Sequence, residues 1–351
     1  MIICKCYYCL SLEIFNPNHM HIKKILVWVV ILLGITILFA VINNKSTLNL
    51  PSTVDTLGSG DHDLTFQYDG LVRTYTIHIP TSYDTNTLSP LIIALHGGGG
   101  TSKGMMEMTQ LNTLSNSEGF IVIYPEGVEN NWNDGRGGAE TRHRAHTENI
   151  NDVGFISALI DYATNTFNVD SNRVYVTGMS NGAMMSYRLA CELSTKIAAV
   201  APVTGNISQN FYPGCLPTKP ISVLAINGLD DSIMPYKGGE IVGPFGNRKL
   251  GKVLSASDTI EFWAKHNGCS LSPIITQEPD IAPDDGTTIQ KKEYGNCKDG
   301  YEVILYTVEG GGHTWPGTSG RQYSEVTNGI KSEDIVATDI IWEFFKQHSI
   351  N

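Results

Sequence analysis

Apolar residues recur along this chain in two spacings, and the chain switches between them repeatedly. Continuous apolar runs occur at residues 90–97 (PLIIALHG), 120–127 (FIVIYPEG), 173–178 (RVYVTG), 197–205 (IAAVAPVTG) and 221–231 (ISVLAINGLDD), with another at 302–312 (EVILYTVEGGG). Runs of this kind suit strands buried on both faces. Between them lie helical spacings. In residues 151–167, Ile156, Leu159, Ile160, Ala163 and Phe167 share one helical face, with Asn151 or Asp152 as the N-cap. Residues 255–266 and 332–348 read as two more amphipathic helices. Near the start, two alternating runs flank Asp69-Gly70 in HDLTFQYDGLVRTYTIHIP, a β-hairpin signature. Buried strands alternating with helices predict an α/β fold with a mainly parallel central sheet and helices on both faces. Neither a repeat nor a second domain is visible, so residues 61–351 are expected to form one catalytic domain.

The N-terminal pattern differs. Lys23 and Lys24 precede residues 25–42, ILVWVVILLGITILFAVI, an 18-residue stretch without a charge. That length is about the minimum for crossing a hydrocarbon layer and exceeds a usual signal-peptide apolar region. Residues 1–43 are therefore expected to be a signal anchor, with a cleaved signal peptide as the alternative; Leu38 two positions before Ala40 breaks an A-x-A cleavage pattern. Either way the lysines stay cytoplasmic and everything after Asn43 is exported. Residues 44–60, rich in Ser, Thr and Gly, read as a linker. Met20 opens MHIKK directly before the apolar run and is a candidate start. Translation from Met20 would remove Cys4, Cys6 and Cys9 and leave the exported Cys191, Cys215, Cys269 and Cys297. Four exported cysteines suggest two disulfides with three possible connectivities, of which the sequence-local pairs Cys191 with Cys215 and Cys269 with Cys297 are preferred.

Charge narrows the partners. The 351 residues carry a formal charge of -11, and no dense basic run follows the N-terminal region. A polyanion such as nucleic acid is a poor partner for such a surface, and neutral ligands fit better.

The candidate chemistry sits at strand ends. Gly178-Met179-Ser180-Asn181-Gly182 fits G-x-S-x-G, with a strand running in and the helical AMMSYRLACEL running out. That setting forces a serine into a strained, exposed turn, although a structural turn serine has the same local signature. A serine nucleophile requires a histidine base and a carboxylate to orient it. Asp230 and Asp231 follow one later strand and His313 follows another, giving the chain order Ser, Asp, His found in α/β-hydrolases. His96 opens HGGGG at the end of an earlier strand, where this fold draws a backbone N–H for the oxyanion. Gly98 and Asn181 are the expected donors. His143 and His146 are the rival pair, since their spacing could bring two imidazoles onto a metal, but no nearby cysteine or well-spaced acid completes a site.

With these residues in place the chain resembles the secreted poly(3-hydroxybutyrate) depolymerase and feruloyl esterase-like group of α/β-hydrolases. The resemblance runs from about Leu64 to the C-terminus and rests on LIIALHGGGG, GFIVIYPEG, WNDGR, DVGFISALID, GMSNGAMMSY, NGLDDSIMPY and GGGHTWPG. It implies an α/β-hydrolase fold with Ser180 as nucleophile and His313 as base. The group's usual H-G-x-x-D-P-x-V-P-Y, aligned on Gly228 and Pro235-Tyr236, implies Asp231 as the acid and Asp230 as a bystander. Asn227 and Ser232 depart from the usual His and Pro, which touches substrate fit more than catalysis. By resemblance WNDG is a loop over the site, so Trp132, Asn133 and Asp134, with Trp315 nearby, are expected to contact substrate, although core packing fits the two tryptophans as well.

The expected function is an exported serine esterase without metal or organic cofactor. Its candidate substrates are feruloyl or acetyl esters on polysaccharide, hydroxyalkanoate oligomers and short-chain esters. The competing readings are a metal-dependent hydrolase using His143 and His146, and a non-catalytic polysaccharide- or polymer-binding protein on the same fold.

Overall fold

The computed structural model describes residues 57–137, 141–243, 246, 248–318 and 328–350, all within one unit, Asn49–Asn351. The apolar run 25–42, Cys4, Cys6, Cys9, Met20 and most of the linker lie outside them. Among the described residues, no helix is long and apolar enough to cross a membrane.

The hairpin forms at the expected place. Strands β1 (Gly60–Tyr68) and β2 (Leu71–Ile79) pair antiparallel through Asp69 and Gly70, whose φ angles of 50° and 75° are the double positive pair of a tight hairpin turn. The apolar runs become β3 (Ser89–Leu95), β4 (Ile121–Pro125), β5 (Val169–Met179), β6 (Ala199–Val203), β7 (Ser222–Gly228) and β12 (Val303–Glu309). They join β10 (Ile274–Gln277) and β11 (Thr288–Tyr294) in a ten-stranded sheet of order β1-β2-β4-β3-β5-β6-β7-β12-β11-β10. From β4 to β12 every neighbouring pair is parallel, and the antiparallel pairs lie at the two edges. A small hairpin of β8 (Gly239–Val242) and β9 (Lys249–Val253) stands apart.

Period-two alternation within one apolar run feeds two cores. In β3, Leu91, Ile93 and Leu95 face a core shared with helices α4 (Asp152–Thr166), α5 (Asn181–Glu192) and α6 (Ala256–His266). Ile92 and Ala94 face the other, with Met105 and Met108 of α1 (Ser102–Thr109), Leu111 of α2 (Leu111–Glu118), and Trp342 and Phe345 of α7 (Ala337–Phe345). A short α3 (Arg144–Thr147) precedes α4. Asn151 caps α4, its side chain accepting from the Gly154 N–H, so the alternative cap Asp152 lies inside the helix.

The helix expected over 332–348 begins only at Ala337. Ser332 instead meets the Thr287 hydroxyl, and Asp334 accepts from the backbone N–H groups of Ile281 and Ala282. Both side chains thus hold an irregular segment against the loop between β10 and β11, a competing use of polar groups that local periodicity does not reveal. The disulfides join Cys191 at the end of α5 to Cys215, and Cys269 beyond α6 to Cys297 beyond β11.

Candidate active site

Ser180 sits between β5 and α5 with φ 57° and ψ −117°, a conformation that costs an L-residue of order 1–3 kcal/mol. The surroundings enforce it. Its N–H donates to Val203 O at 3.0 Å, tying the turn to the end of β6. A Cβ on Gly178 would come within 2.6 Å of the Gly182 carbonyl group, and one on Gly182 would run into Leu95 O and His96 O. Two glycines around the serine are therefore steric requirements of a turn folded against the end of β3. The serine itself remains half-buried rather than enclosed.

Asp231 and His313 come together because β7 and β12 are parallel neighbours whose C-terminal ends open on the same edge as that of β5. The two exit loops touch so closely that a Cβ on Gly228 would collide with Gly311 O and Gly312 O. Asp231 Oδ1 accepts from the N–H groups of Ile233 and Met234, each at 2.8 Å, and Oδ2 lies 2.7 Å from His313 Nδ1. Both side chains are buried. Asp230, one residue earlier, is exposed, and its backbone N–H is bonded to Gly311 O. Asn328 holds the other side of His313, accepting from its N–H and donating Nδ2 to its carbonyl at 3.1 Å. Among the described residues Ser180 Oγ takes part in no hydrogen bond and the His313 ring is bonded through Nδ1 alone. Such links are commonly loose before substrate arrives.

The glycine loop after β3 lies beside the serine. His96 pins it, with Nδ1 donating to Gly97 O at 2.8 Å and Nε2 accepting from the Gly127 N–H at 3.0 Å. A Cβ on Gly97 would be 3.4 Å from Ser180 Cβ, and one on Gly98 would be 3.6 Å from Asn181 Cβ. Asn181 opens α5, where backbone N–H groups have no partner within the helix. The stretches of chain at Gly98 and at Asn181 thus run next to the serine turn.

The WNDGR loop and Trp315, the expected substrate contacts, lie inside the protein. Trp132 and Trp315 are wholly buried, and Asn133 and Asp134 nearly so. Trp132 donates Nε1 to His96 O at 2.9 Å and lies against the His96 ring. Asn133 bonds Asn149 Oδ1, Ile150 O and, through its N–H, Asp152 Oδ2. Trp315 Nε1 donates to Thr338 Oγ1 on α7. In the substrate-free protein all four side chains are buried and hydrogen-bonded to other residues. One partner was invisible in the sequence: the Asn181 side chain, which bonds both Trp132 and Asp134.

Among the described residues, His143 and His146 meet no third group suited to a metal. Among the described residues no cluster of three or more His, Cys, Asp or Glu could hold an ion. Burial pushes the His146 imidazole down to about 4, and burial likewise lowers that of His143. Among the described residues neither His146 ring nitrogen has a hydrogen-bond partner, and Nδ1 stands 4.0 Å from Asp134 Oδ1.

Comparison with known proteins bears on the family and the fold. The profile of the family described as esterase PHB depolymerase matches residues 73–212. A putative esterase, NocK, of Nocardia uniformis subsp. tsuyamanensis is 32% identical over 254 residues, covering 71% of this chain and 72% of that protein. A probable feruloyl esterase C of Aspergillus niger is 28% identical, covering 83% of this chain and 87% of that one. Among solved structures, the acetyl xylan esterase from Aspergillus awamori superposes with a TM-score of 0.51 at 18% identity, covering 73% of this chain and 94% of that chain, a likeness of fold.

Proposed function

From the premise that this chain belongs to the PHB depolymerase esterase family and has the α/β-hydrolase fold, we propose that it is a serine esterase acting through Ser180, His313 and Asp231. The observation that carries the reading is the buried 2.7 Å contact between Asp231 Oδ2 and His313 Nδ1, beside a serine held in a strained turn. Asp231 accepts the Nδ1–H, which leaves Nε2 as the lone-pair nitrogen that takes the Ser180 proton as Oγ attacks the ester carbonyl. The N–H groups of Gly98 and Asn181 hold the oxyanion, and His313 then protonates the leaving alcohol. Water repeats the sequence on the acyl-enzyme and releases the acid.

The substrate class is a feruloyl or acetyl ester carried on polysaccharide. That choice rests on relatives named feruloyl esterase and acetylxylan esterase. The enzyme works outside the cell, where the two disulfides persist, with residues 61–351 as the catalytic domain. The apolar run 25–42 anchors that domain, or leaves it free if cleaved.

The test is hydrolysis of methyl ferulate, acetylated xylan, hydroxybutyrate oligomers and p-nitrophenyl acyl esters by full-length protein in detergent, alongside Ser180→Ala. Turnover should fall by several orders of magnitude in the variant with an unchanged circular dichroism spectrum. Retention of more than about a tenth of the activity would overturn the assignment.

A further inference from the structure

Asn181 does two things at once. Its backbone N–H is the proposed oxyanion donor, and its side-chain amide is the hub of a buried network. Oδ1 accepts from the Trp132 N–H at 2.8 Å, while Nδ2 donates to Trp132 O at 3.0 Å and to Asp134 Oδ2 at 2.6 Å. These partners leave the amide one orientation, since the N–H needs an oxygen and the carboxylate needs a donor. Only two torsions separate that fixed amide from the backbone of the same residue.

Asp134 is fixed in turn. Arg136 Nε lies 2.8 Å from Asp134 Oδ2 and 3.0 Å from Oδ1, and the Arg136 N–H donates to Oδ1 at 3.1 Å. The guanidinium is held by Leu250 O, and the Arg136 carbonyl accepts from Asn210 Nδ2. All of Asn181, Asp134 and Arg136 are more than nine-tenths buried. A buried ion pair adds little stability over well-packed apolar side chains, so its place beside the nucleophile turn calls for another reason. It supplies one. A lone carboxylate bonded to the oxyanion donor would oppose the negative charge developing there, whereas one neutralised by Arg136 keeps its geometric hold without that penalty.

We infer that Asp134, neutralised by Arg136, is a positioning residue for the oxyanion hole and acts through the side-chain amide of Asn181. The inference rests on the serine-esterase reading and adds a residue to it.

The experiment is a double-mutant cycle in the full-length protein with Asp134→Ala, Asn181→Ala and both. Active concentration is set by titration with an organophosphorus reagent, and kcat and KM are measured with p-nitrophenyl acetate. Inhibition by an aryl trifluoromethyl ketone, whose serine adduct carries an oxyanion, is compared with inhibition by acetate. Loss of a whole oxyanion donor costs about 100- to 1,000-fold in kcat, so a misplaced one should cost about 10- to 100-fold. Each single variant should lose that much kcat with little change in KM, and ketone affinity should fall while acetate inhibition stays constant. The double variant should lose no more than the worse single, because both changes cut one link. Losses that multiply in the double variant, or equal weakening of ketone and acetate, would overturn the inference. Should Asp134→Ala fail to accumulate, Asn181→Ala keeps the ion pair and carries the test alone, a normal kcat there overturning it. A wild-type protein that the organophosphorus reagent does not titrate would refute the serine nucleophile itself, an outcome separate from all of these.

Discussion

Replacing Asp231 by Asn changes one atom and should nearly abolish turnover. In the wild-type chain Oδ1 accepts two backbone N–H groups and Oδ2 faces His313 Nδ1. The amide has two orientations. Turning Nδ2 toward Ile233 and Met234 would set a donor against two buried N–H groups, at about 1–3 kcal/mol for each one left unsatisfied. Keeping Oδ1 there instead points Nδ2 at His313 Nδ1, which must then become an acceptor, and a neutral ring with its proton on Nε2 cannot receive the Ser180 proton. The second orientation costs less stability and is the one expected. Catalysis falls by up to about four orders of magnitude, or about 5 kcal/mol of transition-state stabilisation, with the fold retained. Asp230→Asn is the matched control, because that side chain is exposed, and its kcat should stay within about twofold. Both variants are assayed side by side with p-nitrophenyl acetate, with circular dichroism and thermal melts to confirm folding. Near-normal turnover in Asp231→Asn would refute the tautomer argument, and a large loss confined to Asp230→Asn would transfer the role to its neighbour.

Two more expectations concern stability. His146 is held near 4 by burial, below its ordinary 6.5 in the unfolded chain, so between those values the unfolded state binds the extra proton and stability falls as pH falls. The contribution approaches about 3 kcal/mol by pH 4, and urea midpoints measured from pH 7.5 to 4.5 should decline less steeply for His146→Phe than for wild type; parallel slopes would count against it. Gly182→Ala drives a Cβ into Leu95 O and His96 O, which no rotamer relieves, so destabilisation of about 4 kcal/mol or failure to accumulate is expected, and a thermal midpoint within a few degrees of wild type would contradict the packing described.

The central strands are legible in the sequence because their environment is uniform. With helices on both faces, Leu91 and Ile92 are apolar for the same reason although they enter different cores. The β10 edge is not legible in that way, since Ile274 and Ile275 are exposed and carry no periodic signal. The serine turn announces itself because Gly178 and Gly182 answer to backbone packed within reach of a Cβ. The distinction between Asp230 and Asp231 needed an aligned motif, for both follow one strand and differ only in which way the turn points them. The anchoring of Asn181 is beyond local reading, as its partners lie 47 and 49 residues away. So is the burial of Trp132 and Trp315, whose ring faces are equally suited to a ligand or a core.

The insertion of β12 between β7 and β11 has a consequence in time. Asp231 waits 82 residues for its histidine, and that histidine follows a strand that must enter between one already made and another made just before it. A chain emerging from its N-terminus can build the β5 to β7 portion of the sheet and the serine turn well before any base exists. Under the proposed triad, a partly made chain, like any trapped state in which β12 has not docked, lacks its base and hydrolyses esters only at a residual level. On that reading, full hydrolytic activity doubles as a report of completed sheet assembly.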